Sequence, residues 1–150
     1  MRKKINNSKS NFIGKKGGDF LMRACQTGDL DAVKRVVKKK KAELHRSDVV
    51  ELGWTPFHYA CIYGNLKIVK YFSKKNKADI RIKDITGATG LIYACSRGNL
   101  GVVKYLINRL GLDPGLRDET GNNSLMWACL GGSLNIVRYL IEKRGCMWKP

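Results

Sequence analysis

The chain has 150 residues and 43% hydrophobic content, enough for one folded domain with a real core. It contains no apolar run near the roughly 20 residues that span a bilayer, and five cysteines without a secretory signal argue against a disulfide framework. A net charge of +17 points toward acidic partners, whether nucleic acid, an anionic surface or an acidic protein. That charge is uneven: residues 1–83 carry 21 Lys and Arg against 7 Asp and Glu, and residues 84–150 carry 8 against 5.

Residues 1–18 form a basic, acid-free arm, which fits either a flexible attachment or a mitochondrial transit peptide. "GKKGGD" at 14–19 lacks the spacing of a phosphate loop and follows no apolar strand, so it reads as a joint. From there the chain repeats itself. Ala24-Cys25, Ala60-Cys61, Ala94-Cys95 and Ala128-Cys129 lie 36, 34 and 34 residues apart. A period of this size implies stacked supersecondary units, here about 19–52, 53–86, 87–120 and 121–150.

Each unit reads as two helices. Asp19, Thr55, Thr89 and Asn123 stand where an N-cap is needed, and Pro56 follows Thr55 at a position where a missing N–H is harmless. Gly28, Gly64, Gly98 and Gly132 suit the left-handed turn that closes a helix. The second helix carries apolar columns at Leu30/Leu66/Leu100/Leu134, Val33/Val69/Val103/Val137 and Val36/Phe72/Leu106/Leu140. Asp84-Ile85-Thr86-Gly87 and Asp118-Glu119-Thr120-Gly121 read as polar turns between units.

The stretch "GWTPFHYACIYGNLKIVKYF", 53–72, closely resembles the ankyrin repeat, and the resemblance covers about residues 19–147. It implies an all-α solenoid of antiparallel helix pairs with projecting hairpin-like loops. Only 55–58 carry the full Thr-Pro-aromatic-His signature; the later copies read Thr89-Gly90-Leu91-Ile92 and Asn123-Ser124-Leu125-Met126. The resemblance makes His58 a structural histidine bonding between units and places the residue before each Ala-Cys in the concave groove. That column is Arg23, Tyr59, Tyr93 and Trp127, joined by Tyr63 and Arg97, with Trp54 and Asn122 near the hairpin tips. Tyr, Trp and Arg are the residues that most often dominate interfaces.

One cysteine per unit cannot gather several sulfurs within about 2.3 Å of one metal, so the ladder reads as small buried residues rather than a zinc site. No cofactor, metal or small-molecule substrate is expected. Lys34, Lys70, Lys104 and Arg138 form one basic column on the second helices, and Lys39, Lys75, Arg109 and Lys143 another. The acidic-partner surface is assigned to Lys3, Lys4, Lys15 and Lys16 of the arm, the run Lys38, Lys39, Lys40 and Lys41, and Lys74 with Lys75. Lysine outnumbers arginine 19 to 10, which favours diffuse attraction over base reading. The last unit is apolar and ends at Cys146, Met147 and Trp148, an end expected to dock a partner or to be the weak point. The reading is a non-enzymatic adaptor or structural subunit of an intracellular, most simply cytoplasmic, assembly. The alternatives are a nucleic-acid-contacting component such as a peripheral ribosomal protein, and a cytoskeletal or ciliary microtubule-associated subunit. A mitochondrial location goes with the transit-peptide reading.

Overall fold

A computed structural model describes residues 18–40, 47, 52–75 and 78–143. The described residues form eight helices in four pairs: α1 Gly18–Thr27 with α2 Leu30–Lys39, α3 Pro56–Ile62 with α4 Leu66–Lys75, α5 Gly90–Ser96 with α6 Leu100–Asn108, and α7 Ser124–Leu130 with α8 Leu134–Lys143. No strand occurs among them; one isolated antiparallel bridge joins Lys83 to Thr89 at the base of a hairpin. The short helices α1, α3, α5 and α7 pack in series, and each carries its partner helix on its outer side.

The capping chemistry is local. Thr89 Oγ1 accepts from Ile92 N at 3.4 Å, and Asn123 Oδ1 accepts from Met126 N at 3.1 Å. At Thr55 the backbone N–H instead donates to Nδ1 of His58 at 3.1 Å, closing the first turn of α3. α1 opens at Gly18, so Asp19 is its second residue rather than the residue before it, as expected from the repeat. The glycines that close the first helices all hold positive φ, between +69° and +80°.

The core lies between units. Ala60, Cys61, Ala94, Cys95, Val69, Val103, Phe72 and Leu106 have no exposed surface. A further column, Ala32/Ile68/Val102/Ile136, is buried throughout, whereas the marked Leu30/Leu66/Leu100/Leu134 column is only half-buried and ends exposed at Leu134. Side chains also staple unit to unit. Asn99 Nδ2 donates to the carbonyls of Cys61 and Ile62, both at 2.8 Å, satisfying the C-terminal end of α3. Asn65 makes the same kind of contact with Cys25 O and Gln26 O. Backbone bonds from Ile85 N to Leu52 O and from Glu119 N to Thr86 O tie successive hairpins together.

The fourth unit departs from the pattern. Cys129 is exposed, whereas Cys25, Cys61 and Cys95 are buried, which corrects the reading of the ladder as uniformly interior. Met126, Leu130 and Leu134 are exposed beside it, Leu130 by 69%. The cause is geometric: these columns are covered by the following unit in units 2 and 3, and no described residue covers them in unit 4. Cys146, Met147 and Trp148 lie outside the described residues.

Close approach sets one sharp test. A Cβ on Gly131 would stand 2.0 Å from the carbonyl oxygen of Ser96, a backbone atom that cannot step aside. A Cβ on Gly101 would meet only a Leu66 methyl, at 3.8 Å. Gly131→Ala is expected to lose about 1–3 kcal/mol by overpacking, whereas Gly101→Ala gains up to about 1 kcal/mol of helix propensity. Urea denaturation followed by circular dichroism checks both signs.

Candidate protein-binding groove

Two carboxylates organise the face formed by the first helices and hairpins. Asp84 Oδ1 accepts from Thr86 N at 2.8 Å, Thr86 Oγ1 at 2.7 Å and Ala88 N at 3.0 Å, which folds the hairpin. Its Oδ2 accepts from the Tyr93 hydroxyl at 2.5 Å and from Trp54 Nε1 at 3.1 Å. Asp118 repeats the device: Oδ1 accepts from Thr120 N, Thr120 Oγ1 and Asn122 N, and Oδ2 from Trp127 Nε1 at 2.6 Å. Each hairpin is thus bolted to the groove aromatic nine residues further along the chain.

Burial alone would raise the pKa of both carboxyls, but the bonds they accept outweigh it and hold both below the usual 3.8. Those donors are Tyr93, Thr86 and Ala88 for Asp84, and Thr120, Trp127 and Asn122 for Asp118. Burial, then the bond to Asp84, pushes the Tyr93 phenol up to about 12. The Cys25 and Cys61 thiols are raised by burial, and Cys95 to about 12, so these sulfurs stay protonated and are poor nucleophiles and metal ligands.

The expected groove residues fall into two sets. Trp54, Tyr59, Tyr63 and Tyr93 form one aromatic cluster. Trp54 meets Tyr59 and Tyr93 edge to face at centroid distances of 5.6 and 5.2 Å, and Tyr59 stacks on Tyr63 at 6.4 Å. Trp127 stands one unit further along, with its indole N–H committed to Asp118. Arg23 and Arg97 are exposed, and neither forms an ion pair; the one salt bridge among the described residues is Lys34 to Asp31 at 3.8 Å.

Three expectations need correcting. Trp54 and Asn122 are half-buried on the limb that returns from the hairpin, because the indole reaches Asp84 and the Asn122 backbone reaches Asp118. The tips themselves are Ile85-Thr86 and Glu119-Thr120. His58 makes its hydrogen bonds inside its own unit, to Thr55. Its link to the next unit is an edge-to-face contact with Tyr93 at 6.0 Å. With Nδ1 accepting, the proton sits on Nε2, which is buried near the backbone of Ala88 and Ile82 without a well-aligned hydrogen bond. Burial lowers its pKa, against the charge of Asp84 and the nearby backbone of Ala88 and Ile82, so the ring stays neutral.

The basic surface lies on the second helices. Lys38 and Lys39 at the end of α2, Lys40 just after it, and Lys74 near the end of α4 are all exposed; Lys75 is the last residue of α4. Lys3, Lys4, Lys15, Lys16 and Lys41 lie outside the described residues. The Lys70 and Lys104 ammonium groups sit over the rings of Tyr105 and Tyr139 in the next unit, at 5.6 and 5.7 Å. At exposed sites such contacts contribute roughly 0.5–1 kcal/mol each. Tyr71, Tyr105 and Tyr139 recur one residue after the lysine column, a signal present in the sequence but not read from it.

Stacked helix pairs with a fixed aromatic face and tied hairpins define a repeat solenoid built for contact with another macromolecule. The family model for ankyrin repeats, three copies long, matches residues 3–84 and 76–148, and the chain belongs to that family. Repeats of this family are non-catalytic protein–protein interaction modules. None of the curated proteins matches the chain. Among the described residues, no helix is long and apolar enough to cross a membrane and no cluster of three or more His, Cys, Asp or Glu could hold a metal ion.

These groups set the pH dependence of stability. His58 has a folded pKa below its ordinary 6.5, so the unfolded chain takes up that proton first and stability falls as pH drops below about 6.5. Asp84 and Asp118 have folded values below 3.8, so their contribution is full above 3.8 and is lost as pH falls further. Urea midpoints from pH 8 to pH 3 should show two descents, and His58→Gln should remove the upper one. Tyr93→Phe deletes a bond to a charged acceptor and should cost about 1.5–3 kcal/mol at pH 7, measured by the same titration.

Proposed function

We propose that the chain is an adaptor or structural subunit that holds a protein in its concave groove and meets an acidic surface with its lysine-rich N-terminal half. One observation carries this reading. The face bearing Tyr59, Tyr63, Tyr93 and Trp127 also presents Arg23 and Arg97 without ion-pair partners, while Asp84 and Asp118 are spent on the hairpins. A preorganised aromatic surface with uncommitted cations loses little entropy on binding and supplies the residue types that dominate interfaces. The exposed lysines at the ends of α2 and α4 act separately, as a diffuse positive field that steers an acidic partner. A peripheral ribosomal position, or attachment to a microtubule or ciliary structure, would use the same lysine field.

Clean substitutions follow from the geometry, since Tyr93 and Trp127 also hold hairpins. Tyr63→Ala with Arg97→Glu alters exposed groove residues only. Lys39→Glu with Lys74→Glu alters only the outer field. Tagged wild-type and variant chains are used to capture partners from native extract, with and without nuclease. The groove pair should remove nuclease-resistant protein partners; the lysine pair should keep those partners and flatten the salt dependence of capture. If both pairs act alike, the division into groove and field is wrong. If all captured material is lost to nuclease, the charge contacts nucleic acid and the groove reading falls.

A further inference from the structure

Between the third and fourth units the groove contains a cavity of about 240 Å³. Leu52, Ala88, Ile92, Tyr93, Ser96 and Trp127 line it. A cavity of roughly 150 Å³ with apolar walls holds a benzene ring, so this one has room for a single large apolar side chain.

Its polar wall argues against a cationic occupant. Asp118 accepts four donors, Thr120 N, Thr120 Oγ1 and Asn122 N on Oδ1 and Trp127 Nε1 on Oδ2, which occupies most of the acceptor capacity of a carboxylate. Asp84 behind Tyr93 is equally occupied, with five donors. Both carboxylates are thus largely committed to internal donors, which disfavours an incoming ammonium or guanidinium. Beside the cavity, Arg97 directly follows the lining residue Ser96 and Glu119 stands between the lining residues Asp118 and Thr120, both exposed without an ion pair among the described residues; with Arg23 the uncommitted balance along the groove is positive. Arg23, two units back in the groove column, is in the same state. Inner helices step about 10 Å per unit. Roughly 20 Å therefore separates the level of Arg23 from the level of the cavity, a span that extended backbone covers in about six residues.

We propose that this cavity is the anchor pocket for an extended acidic segment of a partner protein. One large apolar side chain enters it, a carboxylate beside that anchor pairs with Arg97, and a second, about six residues away, pairs with Arg23. The proposal rests on the groove reading above and names the chemistry of what the groove takes.

The test selects random 12-residue displayed peptides on the full chain, then measures the most enriched peptide by fluorescence polarisation. The expected peptide carries a large apolar residue and at least two Asp or Glu. Ser96→Leu, which fills the cavity, should weaken it at least tenfold, as should an alanine in place of the peptide anchor. The two changes together should lose no more than either alone. Arg23→Glu with Arg97→Glu should also weaken binding at least tenfold, and less so at high salt. Thermal unfolding by circular dichroism confirms that each variant is folded; Ser96→Val and the peptide-side alanine serve if Ser96→Leu is not. If the cavity changes leave affinity unaltered while the arginine changes lower it, the anchor pocket is wrong and the groove reading stands. If neither set matters, if enriched peptides are basic, or if none is enriched, both fall.

Discussion

No helix pair in this chain can bury its own apolar face; each is buried only by its neighbours. That constraint governs the rest of the structure. The seam between units is built from small side chains, Ala60-Cys61 and Ala94-Cys95, fully buried where one short helix meets the next. Larger residues would push the units apart and open the buried columns of the outer helices. Asn65 and Asn99 then satisfy the carbonyl ends of the preceding first helices, so that a dry seam leaves few orphan acceptors. The same logic explains the exposed Cys129, Met126, Leu130 and Leu134. The columns of Cys129 and Met126 are buried wherever another unit follows, at Cys25, Cys61 and Cys95 and at Met22, His58 and Ile92.

Stacking brings the hairpins and inner helices together, but carboxylates decide how the resulting face is presented. Asp84 and Asp118 each read two structures at once, one oxygen organising the hairpin and the other holding a groove aromatic. The polar ends of Tyr93 and Trp127 are therefore spent internally, and their rings are what the groove offers. A partner meets rings already oriented, which is the physical content of preorganisation here. The same arrangement leaves Arg23 and Arg97 as uncommitted positive charges on that face. On the opposite side, lysines lying over the tyrosines of the next unit do two things: they add to unit-to-unit cohesion and still present an exposed ammonium.

The architecture was legible in the sequence because it is written in local chemistry repeated at a fixed interval. Caps, closing glycines and the Ala-Cys seam each answer a need within a few residues, and four copies make the answer plain. The groove column was legible only as a list of residue types. Asp84 and Asp118 were read as turn formers, which they are; nothing in a polar turn announces that its second oxygen reaches an aromatic nine residues on. That spacing recurs for Tyr93 and Trp127, and the position nine before Tyr59 is Val50, so the pattern is broken in the second unit. By its place after a turn glycine Trp54 reads as near a hairpin tip; the same carboxylate draws it inward. The resemblance gives His58 a bond between units, whereas its capping of Thr55 uses Nδ1 and its ring edge meets Tyr93 of the next unit. The cavity depends on the gap between two units and has no signature in either alone.

The central claim is that hairpin carboxylates hold the groove aromatics, and the indole N–H groups report on it directly. The chain has three tryptophans, so an amide-and-indole proton–nitrogen NMR spectrum resolves each side chain. The account predicts that the Trp54 and Trp127 indole protons are protected from solvent exchange at pH 7. They should shift and lose that protection only as Asp84 and Asp118 take up protons, below pH 3.8. Indole protons that exchange at the rate of free tryptophan at pH 7 would contradict it, and with it the preorganised groove.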